Sequence, residues 1–303
     1  MDLTAYRAIE GNRWRSRLLA GINAALLAVL FGSAVWILGP DAVRPVSSLL
    51  IVIGSAMFGG RDVVLQLLGA RQLIPTEEKR FFRRLEVISV GVGRRILPAV
   101  HLVMAPYPNA LAIERVGQAG TLVVTNRLLD LDEIELDAVL AHEMFHLASA
   151  FVGLRSVMAL FRGLVMSLIT TRVLWHRIAI LSVLILALLA LGPSPLVFLM
   201  LVAVYLIAEA RIARQREYLA DANAVLVTRH PEGLIRALRR MSAVDTFADA
   251  TQSRARTLTD DGERLAASLW IVRPHNLAAT WVTRLLDAHP SAEDRIRRIE
   301  RMS

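Results

Sequence analysis

Residues 131–150 read LDEIELDAVLAHEMFHLASA, and positions 142–146 within them read His-Glu-Met-Phe-His. Acidic residues crowd the first turns and apolar residues follow, which predicts a helix whose dipole suits its charges. On such a helix residues four apart share a face, so His142 and His146 can reach one ion. An HExxH pair with a carboxylate ligand and an open position suits catalytic zinc. Glu143, beside the first histidine, can then take a proton from an activated water. The plain alternative is a helix whose two histidines are exposed or satisfied in a core.

A second pair changes the weighing. Residues 217–221 read Glu-Tyr-Leu-Ala-Asp, so Glu217 and Asp221 also share one helical face. Glu217 can supply the third ligand. Asp221 can accept a hydrogen bond from the free nitrogen of a ligand histidine and so fix its tautomer. A solvated acidic pair near Arg214 and Arg216 is the competing reading. The chain has no cysteine, which excludes disulfides, thiolate metal sites and cysteine catalysis. Any metal must be held by histidines and carboxylates.

The chain of 303 residues is unusually apolar as a whole, at 55% hydrophobic with a mean hydropathy of +0.48, yet 20% charged. That mixture predicts apolar spans joined to a polar folded part. Residues 18–39 are apolar and follow Arg7, Arg13, Arg15 and Arg17; residues 46–68 form a second span; residues 177–210 form another block, interrupted at Gly192, Pro193 and Pro195. Because His142, His146 and Glu217 must meet, the chain between them has to cross a bilayer an even number of times. A hairpin of 174–191 and 196–210 satisfies this, with 151–171 as an interfacial helix. The net charge of +8, carried by Arg at every basic position except Lys79, reads as cytoplasmic flanking charge. No basic helix with interleaved aromatics points to nucleic acid. Between the spans, 76–91 has a helical pattern, and 100–104, 110–114 and 121–125 have strand character, separated by Pro106, Pro108, Asn109, Gly117 and Gly120.

The motifs taken together resemble the HtpX-type integral-membrane metallopeptidases, relatives of the CAAX prenyl protease. The resemblance is carried by Pro108-Asn109-Ala110-Leu111-Ala112, Val123-Val124-Thr125 and Leu128-Leu129. It continues through Asp137 to Glu143, Arg216 to Asp221, and His289-Pro290 with Glu293, Arg295 and Ile296. It departs at Asn126-Arg127, where a polar-Gly pair is usual, and at Ala288, where Thr is usual. The resemblance implies one Zn2+ per chain on His142, His146 and Glu217, with Glu143 as catalytic base. It implies an α-rich α+β membrane protein: a zincin-like metallopeptidase domain with a small β-sheet and an HExxH helix, plus about four transmembrane helices. The expected parts are an anchor over 1–70, a catalytic part over 71–172, a transmembrane hairpin over 173–210 and a second catalytic part over 211–303. The expected partners are polypeptide substrates, among them damaged or misfolded membrane proteins, and the lipid bilayer. The expected location is the cell inner membrane, multi-pass, with both termini and the active site facing the cytoplasm, in a stress-response role.

A peptide could add to a sheet edge over Asn109–Glu114. His289 and Arg295 are candidates for oxyanion or substrate contacts, although Pro290 and the spacing from Ser291 to Asp294 also suit a capped helix. A non-catalytic membrane scaffold and a protease with its zinc inside the bilayer are the competing classes. Intact Glu143 opposes the first. Asp130, Asp132, Glu133, Glu135 and Asp137, which favour water, oppose the second.

Overall fold

The structure, a computed structural model, describes residues 3–38, 61–113, 120–148, 194–243, 270–272 and 289–302, with Ser182. In chain order these give helix α1 (Leu3–Leu38), strand β1 (Arg71–Gln72), α2 (Lys79–Gly91), β2 (Ala99–Val103), β3 (Ala110–Ile113) and β4 (Thr121–Thr125). A 3-10 turn over Asn126–Asp130 leads into α3 (Glu133–Ala148), followed by α4 (Ser194–Thr228), α5 (Pro231–Ala243) and α6 (Ala292–Glu300). Residues 61–67 are also helical.

The four strands form one mixed sheet in the order β1-β2-β4-β3. β2 and β4 run parallel, Ala99 facing Thr121, while β3 runs antiparallel to β4, Ala110 facing Val124. Side chains alternate across the sheet. Ala110, Ala112, Leu122 and Val124 join the core beneath the helices, whereas Leu111, Ile113 and Val123 join a second cluster with Val64, Leu68 and Trp270. Because both faces are covered, β3 and the centre of β4 (Leu122–Val124) read as unbroken apolar runs rather than as alternating ones.

Helix α2 forms because Phe81, Leu85 and Ile88 recur at helical spacing, and these, with Ser89, are its buried positions. It ends where Gly93 adopts φ +74°, a left-handed conformation that glycine takes without a Cβ clash. Just beyond, the Arg94 guanidinium donates to the carbonyl of Leu147 near the end of α3, placing a cation at that helix C-terminus. At its other end α3 is held by a reciprocal cap. Glu135 N–H donates to Asp132 Oδ1 at 2.8 Å, and Asp132 N–H donates to Glu135 Oε2 at 3.3 Å. Arg84 of α2 donates from Nε to Asp137 Oδ1 at 2.7 Å. Helix α3 is buried from Glu135 through Leu147 apart from Asp137. Full burial of a side chain such as Leu136 or Leu140 contributes about 1.5–3 kcal/mol.

Among the described residues no helix is long and apolar enough to cross a membrane. This corrects the expectation of about four transmembrane helices. It also removes its consequences: membrane anchoring, the bilayer as partner, and a multi-pass inner-membrane location with cytoplasmic termini. The apolar residues 18–38 belong to a longer helix, α1, which packs along α4. Its buried face carries Asn12, Ser16 and Asn23, and Tyr205 of α4 donates to Asn23 Oδ1 at 2.9 Å. Apolar composition here accompanies helix-to-helix packing around polar contacts, a use that hydropathy alone does not separate from a span. The apolar residues 196–210, expected as a returning arm, are continuous with the helix that carries Glu217. The expected span over 46–60, the arm at 174–191 apart from Ser182, and the interfacial helix at 151–171 lie outside the described residues.

Candidate zinc site

Helices α3 and α4 pack directly on one another. The two i,i+4 pairs face each other across that contact. His142 Nε2 and His146 Nε2 are 3.1 Å apart, and their rings meet edge to face at 81°. Glu217 places Oε2 at 3.4 Å from His142 Nε2 and Oε1 at 3.4 Å from His146 Nε2. Four ligands arranged tetrahedrally at zinc's usual bond lengths stand about 3.3 Å from one another. The three residues therefore fit one Zn2+, with their ligand atoms all within 4.8 Å of each other and their side chains buried. This triad is the zinc-binding site of a metalloendopeptidase, one zinc per chain.

Glu143 is fully buried beside it, with Oε1 at 3.9 Å from His142 Nε2. Asp221, one turn after Glu217, brings Oδ1 to 2.9 Å from His142 Nδ1. That contact leaves Nε2 of His142 directed at the triad. His289 Nδ1 lies 3.7 Å from Glu217 Oε2. Directly after it, Ser291 accepts from the Asp294 N–H at 3.1 Å and starts α6, so the spacing read from the sequence does cap a helix.

Arg295, on α6, is 1% exposed. Its Nε and Nη2 donate to Asp221 Oδ2 and Oδ1 at 2.9 and 2.6 Å, and its Nη1 donates to the carbonyl of Ile271 at 2.7 Å. Asn109 lies at the sheet edge. Its side-chain Nδ2 donates to the Val272 carbonyl at 2.6 Å and its Oδ1 accepts from the Ala110 N–H at 3.0 Å. The segment 270–272 is the part of the site that sequence reasoning did not assign. Its only signal was a short apolar Trp-Ile-Val run inside a polar region.

The electrostatics follow from burial. Burial lowers the basicity of His142, but hydrogen bonds to Asp221 and Glu217 outweigh it and raise its pKa to about 9. Burial also disfavours the charged form of Asp221. The nearby Arg295 charge and the hydrogen bonds from His142 and Arg295 nevertheless hold its carboxyl below the usual range. Glu217 is held well below it, because the charges of His146 and His289 and its histidine hydrogen bonds overcome burial.

The chain also resembles known proteins. Residues 75–303 match the model of peptidase family M48. A "Protease HtpX homolog" of Dictyoglomus thermophilum is 30% identical, with 99% of this chain and 95% of that protein covered. A "Protease HtpX homolog" of Streptococcus pyogenes is 28% identical, with 98% and 99% covered. The crystal structure of S. mikatae Ste24p is similar at a TM-score of 0.49 and 15% identity, covering 97% of this chain and 67% of that one. A family match that begins at residue 75 and runs to the last residue, beside a relative 30% identical along nearly its whole length, places this chain in peptidase family M48.

Proposed function

We propose that the chain hydrolyses peptide bonds within polypeptides, with Glu143 as the general base and general acid of the reaction. The observation that carries this reading is the burial of Glu143 at 3.9 Å from a ligand atom of the convergent triad. Zinc held by His142, His146 and Glu217 would supply Lewis acidity, polarising a scissile carbonyl and acidifying water. Glu143 accepts the proton from the attacking water and returns it to the leaving amine. Asp221 keeps the His142 ring in one tautomer. His289, whose Nδ1 lies 3.7 Å from Glu217 Oε2, would donate a hydrogen bond to developing oxyanion charge.

The substrate backbone pairs with β3. Thr125 N–H donates to the Asn109 carbonyl at 3.0 Å, so Asn109 belongs to a hydrogen-bonded pair with β4. By alternation the backbone groups of Ala110 and Ala112 point away from β4. The Ala110 carbonyl accepts from Ile271 N–H at 3.0 Å. Ala112, 0% exposed in this structure, carries the remaining backbone groups of β3 that point away from β4, and an extended peptide adding there would have to displace what covers it.

The deciding experiment is Glu143→Gln, which keeps size and all three ligands but removes the proton acceptor. Zinc content is expected to stay at one per chain while hydrolysis of casein falls at least ~100-fold. Wild-type rates from the variant would refute Glu143 as the base. His142→Ala is expected to lose zinc together with activity.

A further inference from the structure

Arg295 meets the site at Asp221 and Asn109 lies at the sheet edge, and both use their side-chain hydrogen-bonding groups inside the chain. The segment Trp270–Val272 lies along the end of β3. Ile271 N–H donates to the Ala110 carbonyl, and Val272 is gripped on both sides by one amide. Asn109 Nδ2 donates to the Val272 carbonyl at 2.6 Å, and Val272 N–H donates to Asn109 Oδ1 at 3.3 Å. Asn109 is itself fixed to β4, its N–H donating to Thr125 Oγ1 at 2.8 Å. Trp270 and Ile271 are buried in the clusters on opposite faces of the sheet, which anchors the segment on both sides.

At the peptide that joins Ile271 to Val272, the Ile271 carbonyl receives Nη1 of Arg295 at 2.7 Å. The guanidinium is planar, so fixing Nη1 fixes the direction of the other donors. Those donors form the fork on Asp221, and Asp221 holds His142 Nδ1 at 2.9 Å. An unbroken series of contacts thus runs from the sheet edge to a zinc ligand. Resting on the reading of His142 as that ligand, we propose that Asn109 and Arg295 are positioning residues for the metal site. Asn109 fixes the Ile271 carbonyl through Val272; that carbonyl aims Arg295; and Arg295 sets the orientation of the Asp221–His142 pair. On this reading both side chains act on the metal site rather than on substrate.

The test uses the full-length purified chain with zinc or cobalt as the probe. Zinc affinity is measured by competition with a chromophoric chelator, the cobalt-loaded site by its visible absorption, and hydrolysis of a casein peptide by kcat and KM separately. Asn109→Ala and the near-isosteric Asn109→Asp are expected to weaken zinc binding about 10-fold and to change the cobalt bands. At saturating zinc they are expected to lower kcat with KM unchanged. Arg295→Lys keeps the charge but cannot reach Asp221 and Ile271 together, and is expected to weaken zinc binding up to about 100-fold. The proposal is overturned if folded Asn109→Ala or Asn109→Asp keeps wild-type zinc affinity and cobalt bands while KM rises, because the amide would then act on substrate. It also falls if Arg295→Lys leaves zinc affinity unchanged. Failure of the underlying reading looks different: wild type itself would bind no zinc, or Glu143→Gln would retain full activity.

Discussion

Gly233 offers a test of how tightly the zinc-bearing helix is held. It lies in the first turn of α5, which packs on α3. A Cβ built on Gly233 would stand 2.6 Å from the Ile134 carbonyl oxygen, 2.7 Å from Ile134 Cγ2 and 3.1 Å from the Ile134 carbonyl carbon. The Cγ2 contact could be relieved by a rotamer change. The carbonyl contacts could not, because Ile134 sits in the first turn of α3, whose cap at Asp132 and Glu135 ties it down. Overpacking of this kind costs about 1–3 kcal/mol, and a backbone obstacle argues for the upper half of that range. Alanine returns up to about 1 kcal/mol through helix propensity. Gly233→Ala is therefore expected to destabilise the protein by about 1–2 kcal/mol in denaturant unfolding at constant m-value. Gly91→Ala is the matched control. Its Cβ would meet Val227 Cγ1 at 3.0 Å, a side-chain methyl that can turn away. Its effect is expected to lie within about 0.5 kcal/mol of zero. Equal stability of Gly233→Ala and wild type would refute the argument that α5 abuts the α3 backbone. So would a greater loss in Gly91→Ala than in Gly233→Ala.

Ser291→Ala removes the hydroxyl that caps α6 and is expected to lower stability by about 1 kcal/mol, measured by thermal or urea unfolding. The Ser291 hydroxyl, then Arg297, hold the Asp294 carboxyl below its ordinary value. A carboxyl depressed in the folded state adds stability that is complete above the unfolded value near pH 4 and is lost as pH falls through the lower folded value. Unfolding curves between pH 5 and pH 2.5 are accordingly expected to show a smaller acid-side loss in Ser291→Ala than in wild type. Leu140→Ala in α3 is expected to cost about 2–5 kcal/mol in the same unfolding assay, because Leu140 is fully buried in the core. Chelation of zinc is expected to lower the melting temperature of wild type and leave that of His142→Ala unchanged, since only a protein that binds the ion gains stability from it.

The sequence was most legible where chemistry demands fixed spacing. Two pairs of residues four apart could be matched across an unknown fold because a helix leaves only one way for each pair to share a face. The strand at 121–125 and the helix over 133–148 were visible for similar reasons: a dense apolar run between turn residues, and an acidic start followed by periodic burial. The parallel pairing of β2 with β4 was not visible, because nothing local in either run encodes its neighbour. Hydropathy misread two apolar stretches: 18–38 is part of α1, which packs along α4 and meets it at Asn23, and 196–210 is part of α4 itself. Ile271 was invisible for a different reason. Its contribution is a main-chain carbonyl, and main-chain groups leave no signature in residue type.

The buried charges explain why the same residues that hold zinc are also arranged to hold protons. Three carboxylates, Glu143, Glu217 and Asp221, and one guanidinium, Arg295, are buried around the two imidazoles. Buried carboxylates are costly unless paired, and a zinc ion on His142, His146 and Glu217 would offset part of that cost. Hydrogen bonds to Asp221 and Glu217 raise the basicity of His142 against the effect of burial. A histidine ligates metal in its neutral form, so protons and zinc compete for the same ring. The Arg295 fork holds both oxygens of Asp221, and Asp221 Oδ1 in turn lies 2.9 Å from His142 Nδ1. A ring held at Nδ1 in this way has Nε2 directed at the triad, which is the orientation a zinc ligand needs.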